Sequence, residues 1–169
     1  MDRGSALHGT TAAAVLLVLS GPAWAADLTL DAVPKPVMES VQTRFKDAKV
    51  VGAADEKTPE GNLIYEITLD EKGKNIDTSV NPDGSIFLIE KEVARKELPK
   101  EIAAAVEKEF PRARYRLCEQ VITADKEGEK LAHYEVLLVT TAKQVRVVEI
   151  GLDGKILKIE KRAGLEEDE

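Results

Sequence analysis

Residues 151–161 read GLDGKILKIEK, and residues 81–91 have already read NPDGSIFLIEK. Asp153-Gly154 stands where Asp83-Gly84 stands, and Ile159-Glu160-Lys161 where Ile89-Glu90-Lys91 stands. A chain that says the same thing twice builds one small unit twice, and that limits the fold more than composition could. The echo reaches upstream: VPKPVMESVQTRF (33–45) returns as LPKEIAAAVEKEF (98–110), with Val33, Val37, Val41 and Phe45 answered by Leu98, Ile102, Val106 and Phe110. A spacing of four lines each set along one helical face, and Met38 and Ala105 widen the stripe. Pro34 and Pro99 suit a helix start, where no N–H is owed to a preceding carbonyl.

After each helix the period changes to two. NLIYEITL (62–69) is answered by AHYEVLLV (132–139), so Tyr65, Ile67 and Leu69 face one way, as do Tyr134, Val136 and Leu138. The segment 123–130, TADKEGEK, reads as loop. Third strands are expected at about 75–81 and 143–150, and the Asp-Gly turns lead into fourth strands at 85–91 and 155–161. The predicted fold class is α+β: a tandem repeat of two αββββ units, each a helix packed on a four-stranded antiparallel meander. A unit of this size sits near the lower limit for standing alone, so the two are expected to pack together. The link EVARKE (92–97) has no Gly, Pro or Ser and reads as continued structure rather than a tether.

The first residues read as an address. An apolar run, Ala12–Leu19, precedes GPAWA, with Ala23 and Ala25 as the small residues of a cleavage site, which is the layout of a secretory signal peptide cut after Ala25. The expected organisation is a leader at 1–25, a first repeat at 26–93, a second at 94–165 and an acidic tail at 166–169. An exported chain with Cys118 as its one cysteine has no disulfide to form within itself. The net charge of −7 is uneven: residues 26–93 carry 14 acidic and 8 basic side chains, and residues 94–165 carry 12 and 15. An acidic exported protein is a poor nucleic-acid binder, and the difference between halves bears on partners rather than fold.

A tandem of αββββ units, each with a Tyr-Glu-(Ile/Val) strand and a final Asp-Gly hairpin, resembles the PepSY-like proteins, bacterial envelope proteins similar in fold to the β-lactamase inhibitory protein. The resemblance covers about residues 28–162. It implies a non-enzymatic, periplasmic or secreted module that binds, and modulates or inhibits, a peptidase or another envelope protein, with no cofactor.

The residues themselves offer little chemistry. Cys118 with His133 is the one conceivable nucleophile–base pair, and a hairpin turning at Asp125-Lys126 sets them opposite each other, on the side away from Tyr115 and Val136. No third residue orients the pair, and two ligands fall short of a structural metal site, so the alternative function is small-ligand or metal sensing centred there. The stretch DEKGKNID (70–77) lacks the spacing of a calcium loop and fits a hairpin turn.

What remains is surface. Arg112, Arg114 and Arg116 alternate along a predicted strand, with Cys118 next in line, and read either as a docking strip for an acidic partner or as a solvated face. An antiparallel sheet with helices on one side should be polar on the other, yet VLLV (136–139) and VRVVEI (145–150) add Leu137, Val139 and Val147 there. Ile86, Leu88 and Ile156 are expected to do the same. Either the other repeat covers this face or a partner does. Tight interfaces lean on aromatic and arginine anchors, and the three Phe and three Tyr are mostly assigned to the core, which speaks against a very tight inhibitor.

Overall fold

The computed structural model describes residues 26–58 and 60–162; the expected leader (1–25) and acidic tail (166–169) lie outside the described residues. Nine strands form one antiparallel sheet in strict chain order. They are β1 (Ala26–Asp27), β2 (Lys49–Lys57), β3 (Leu63–Glu71), β4 (Lys74–Val80), β5 (Ile86–Glu92), β6 (Arg114–Asp125), β7 (Gly128–Val139), β8 (Val145–Gly151) and β9 (Ile156–Arg162). Helix α1 (Lys35–Arg44) precedes β2, and α2 (Lys100–Glu109) precedes β6. The protein is thus α+β, with two helices on one antiparallel sheet.

The spacing-of-four stripes become the buried faces of the helices. Val37 and Val41 of α1 are 0% exposed and pack with Ile67, Leu69, Ile76, Val80 and Ile89; Ile102 and Val106 of α2 pack with Cys118, Tyr134, Val136, Leu138, Val148 and Ile150. Each such side chain contributes roughly 1.5–3 kcal/mol relative to exposure. The two clusters lie on the same side of the sheet, because Ile122 of β6 joins the α1 cluster and Cys118, four residues back on the same strand, joins that of α2. Two helices on one side leave the other side of the sheet, the far face, without a helix among the described residues.

The halves are joined edge to edge. β5 pairs with β6 from Leu88↔Thr123 to Glu92↔Glu119, and Arg44 at the end of α1 forms a bidentate ion pair with Glu129 of β7, its Nη2 donating to Oε2 at 2.6 Å. The link is a short 3-10 turn, Arg95–Glu97, with the Arg95 guanidinium 4.0 Å above the Tyr115 ring. The far face is therefore not covered by the other half, which lies beside it in the plane of the sheet.

The repeated Asp-Gly turns have a shared job. In each, the Asp side chain accepts a backbone N–H two residues on, Ser85 N–H to Asp83 Oδ1 at 2.9 Å and Lys155 N–H to Asp153 Oδ1 at 3.0 Å. Gly84 and Gly154 then adopt φ of +90° and +81°, with the backbone carbonyls of Pro36 and Glu101 close against them. Each turn is pressed onto the first turn of its helix, where a side chain would collide.

Several expectations need correcting. The segment 123–130 is not all loop: β6 runs to Asp125 and β7 starts at Gly128, so Lys126 and Glu127 alone make the turn. Phe87 and Leu157 are bulged out of β5 and β9, which turns Ile86 and Ile156 back toward the helices, while Leu88 does lie on the far face.

Candidate functional site

Strict alternation fails at the site itself. The pairing of β6 with β7 jumps from Tyr115↔Leu138 to Leu117↔Leu137, leaving Arg116 as a bulge. Beyond it every side chain changes face. Cys118 is consequently opposite Val136 in the α2 core, while His133 is opposite Val121 on the far face. The expected Cys118–His133 pair does not exist, and neither does a sensing site that needs both. Cys118 is 4% exposed and burial pushes its thiol up to about 11, which makes it a small apolar side chain rather than a nucleophile. Among the described residues no group of three His, Cys, Asp or Glu could hold a metal ion.

The same bulge breaks up the arginine stripe. Arg114 stands opposite Val139 on the far face, Arg116 is the exposed bulge, and Arg112 precedes the strand at φ +61°. They share one end of β6, without the regular two-residue alternation or Cys118 as its continuation.

The expected apolar residues do meet. Leu117, Leu137 and Val147 form one cross-strand row on the far face, and Val139 and Val145 form the next. Val139, Val145 and Val147 are no more than 7% exposed. Arg114 and Arg162 flank the second row, opposite Val139 and Val145 respectively.

The far face carries a second feature, a line of carboxylates. From β2 to β8 every strand presents at least one carboxylate there, and one from each forms a band: Glu56, Glu66, Asp77, Glu90, Glu119, Glu135 and Glu149, with Glu92 of β5 also opposite Glu119. Asp77 is directly opposite Glu90, and Glu119, Glu135 and Glu149 stand in one register. Glu90 and Glu119 are each 4% exposed, and Val121 between them 2%. Burial first, then the neighbouring Glu119, Glu135, Asp77 and Glu66, pushes Glu90 up to about 9; burial and then Glu135, Asp77 and Glu92 push Glu119 up to about 8. Glu66 rises to about 7 through burial and the charges of Asp77 and Glu56. Nitrogen groups are near the band at its β7–β9 end: the His133 Nε2 is 3.3 Å from Glu135 Oε1, and the Lys158 Nζ is 3.9 Å from Glu149 Oε1. The one sequence signal was the recurrence of Glu inside the two strand motifs, Tyr-Glu-(Ile/Val) and Ile-Glu-Lys.

A cleft on the helix side, lined by Arg44, Lys46, Glu71 and Lys91, is less promising. Its arginine is taken by Glu129 and Lys91 by Glu71 at 2.9 Å.

No protein-family model matches the chain, and no curated protein matches it. Solved structures do. A protein from Bacteroides eggerthii, assigned provisionally to the periplasm, superposes with a TM-score of 0.62 at 13% identity over 76% of this chain and 88% of that one. A BLIP-like protein from Bacteroides fragilis gives 0.57 at 10% identity over 80% and 91%, and a DUF2874 family protein from Bacteroides uniformis 0.60 at 12% over 76% and 88%. At such identities the likeness is one of fold: this chain has the fold of these proteins. Among the described residues no helix is long and apolar enough to cross a membrane.

Proposed function

We propose that the chain is an exported, non-enzymatic protein-interaction module that uses the far face of its sheet to dock, and thereby modulate or inhibit, a peptidase or another envelope protein. A periplasmic setting fits the leader read in the sequence and the provisional assignment of the Bacteroides eggerthii protein. The tandem, PepSY-like reading supports the same function: two αββββ units side by side supply one broad face that neither would present alone. A BLIP-like protein among the fold neighbours agrees with protein binding.

One observation carries the reading. Both helices lie on one side, and the other side holds an apolar row, Leu117–Leu137–Val147, in which the two leucines are half-buried, beside Val139 and Arg114. A row of that kind on a face that carries no helix among the described residues fits a partner's side chains. Arg112 and Arg116, at the same end of β6, extend the face as a polar rim.

The test uses the form beginning at Ala26 as bait in an envelope extract, with a Leu137→Asp/Val147→Asp variant in parallel. A protein retained by the first and released by the second is expected. If both forms retain the same proteins, or neither retains any at low salt, the reading fails.

A further inference from the structure

We propose that the carboxylate band crossing β2 to β8 is the track for a cationic segment of the partner protein, a strip bearing several lysine or arginine side chains that lies across the strands. The inference rests on the docking reading above and specifies the chemistry of what docks.

Three observations point to an extended cation. The first is the arrangement. Seven consecutive strands place at least one carboxylate each on the same face, and at about 4.8 Å per strand the band is on the order of 29 Å long. Like charges directly opposite each other oppose sheet formation, so the ionised forms of Glu90 opposite Asp77 and of Glu119 opposite Glu135 work against the folded state, and in the free protein these two buried groups hold protons instead. A ligand that supplies positive charge removes that penalty and collects it as affinity.

The second is the stretch from β3 to β6. His133 and Lys158 sit by Glu135 and Glu149 at the far end, while Glu90 Oε1, in the middle, is buried with no hydrogen-bond partner among the described residues. A buried oxygen left without a donor costs free energy that an incoming ammonium or guanidinium recovers.

The third is what lies alongside. Leu88 and Val121 adjoin Glu90, and the Leu117–Leu137–Val147 row runs next to Glu119 and Glu135. That pairing suits side chains with apolar stems and cationic heads. A single metal ion does not fit, since no three ligands converge among the described residues. A free polyamine meets the charge but leaves the apolar row without a counterpart, so a protein segment is the occupant the face favours.

A fluorescent lysine pentapeptide, followed by anisotropy at low salt and pH 9.5, where Glu90 and Glu119 are ionised, is the probe, with spermine as competitor. Binding is expected, weakened about tenfold or more in Glu90→Gln/Glu119→Gln, because a charge-assisted contact is lost at each position. An Asp77→Asn/Glu135→Gln pair should weaken it similarly, which guards against one variant failing to fold. Glu101→Gln/Glu109→Gln, on exposed positions of α2, removes the same charge from the other side of the sheet and should leave affinity within about twofold at matched ionic strength. Equal losses in the α2 variant would mean that net charge alone is being read, and the track would be refuted. Spermine displacing the peptide at equal or lower concentration would assign the band to small polyamines and overturn the protein segment. No binding would overturn it too, while partner capture that still depends on Leu137 and Val147 would leave the docking function standing.

Discussion

Neutralising two buried glutamates should make this protein more stable at neutral pH. Unfolded, Glu90 and Glu119 release their protons near the ordinary glutamate value of 4.5; folded, they hold them to about 9 and about 8. The folded state therefore binds more protons than the unfolded one across that window. Stability is full near pH 4.5 and is lost as the pH rises toward 8 and 9, by about 1.4 kcal/mol per pH unit per group. From pH 5 to pH 7 two such groups give an upper bound of about 5 kcal/mol; because each resists ionisation partly through the other, about 2–3 kcal/mol is the expected difference. At roughly 4 °C per kcal/mol for a domain of this size, the melting temperature should fall by about 10 °C over that interval. Glu71, Glu97 and Glu129 run the other way: their pKa values are lowered first by side-chain hydrogen bonds from Lys91, Lys74 and Arg44, so they lose their contribution below about pH 4.5, outside the interval. Thermal unfolding followed by circular dichroism from pH 4.5 to 9 tests this, with Glu90→Gln/Glu119→Gln in parallel. The variant should give a flatter profile and exceed the parent in melting temperature at pH 8. A parent whose stability rises from pH 5 to pH 7, or a variant less stable than the parent at pH 8, would refute the reasoning.

Two further outcomes follow from the geometry. Gly84→Ala should cost about 2–4 kcal/mol, because the new Cβ would lie 2.6 Å from the Pro36 carbonyl oxygen at φ +90°, whereas Gly154→Ala, at 3.1 Å from the Glu101 carbonyl, should cost about 1–2 kcal/mol; urea titration that reverses this order would contradict the account of the turns. Cys118 should react with a thiol reagent at pH 8 only as fast as the protein unfolds, given its burial and its raised pKa, so labelling rates should climb with denaturant; rapid labelling of the native protein would count against its place in the α2 core.

The helices and the strand cores were legible because their periods are local. Val37 and Val41, or Ile102 and Val106, declare a helical face within a few residues, and Tyr134, Val136 and Leu138 declare a strand face. Bulges carry no such signature. Arg116 looks like any alternating residue, yet one residue inserted there sends Cys118 into the core and leaves His133 on the opposite face. The same failure put Ile86 and Ile156 on the wrong side, one residue before the bulges at Phe87 and Leu157. Leu137, Val139 and Val147 lie beyond these interruptions, and the face expected for them is the face they occupy. The acid band escaped for a different reason. Its members are far apart in sequence and become neighbours only when β5 pairs with β6, a long-range event that no single strand announces.

That pairing has a consequence for how such chains stay finite. β5 is the fourth strand after its helix and β6 the first after the next, so the joint is head to tail, and nothing in its geometry closes on itself. β9 offers the kind of edge that β5 offers, and β2 the kind that β6 offers. Left bare, two molecules could continue the sheet where one leaves off, and then a third, as a fibre. Ala26–Asp27, only two residues long, occupies the β2 edge at Ala54 and Asp55, and Lys158, Lys161 and Arg162 charge the β9 end. A dipeptide strand and three cations are thus the punctuation at the two edges of the described sheet.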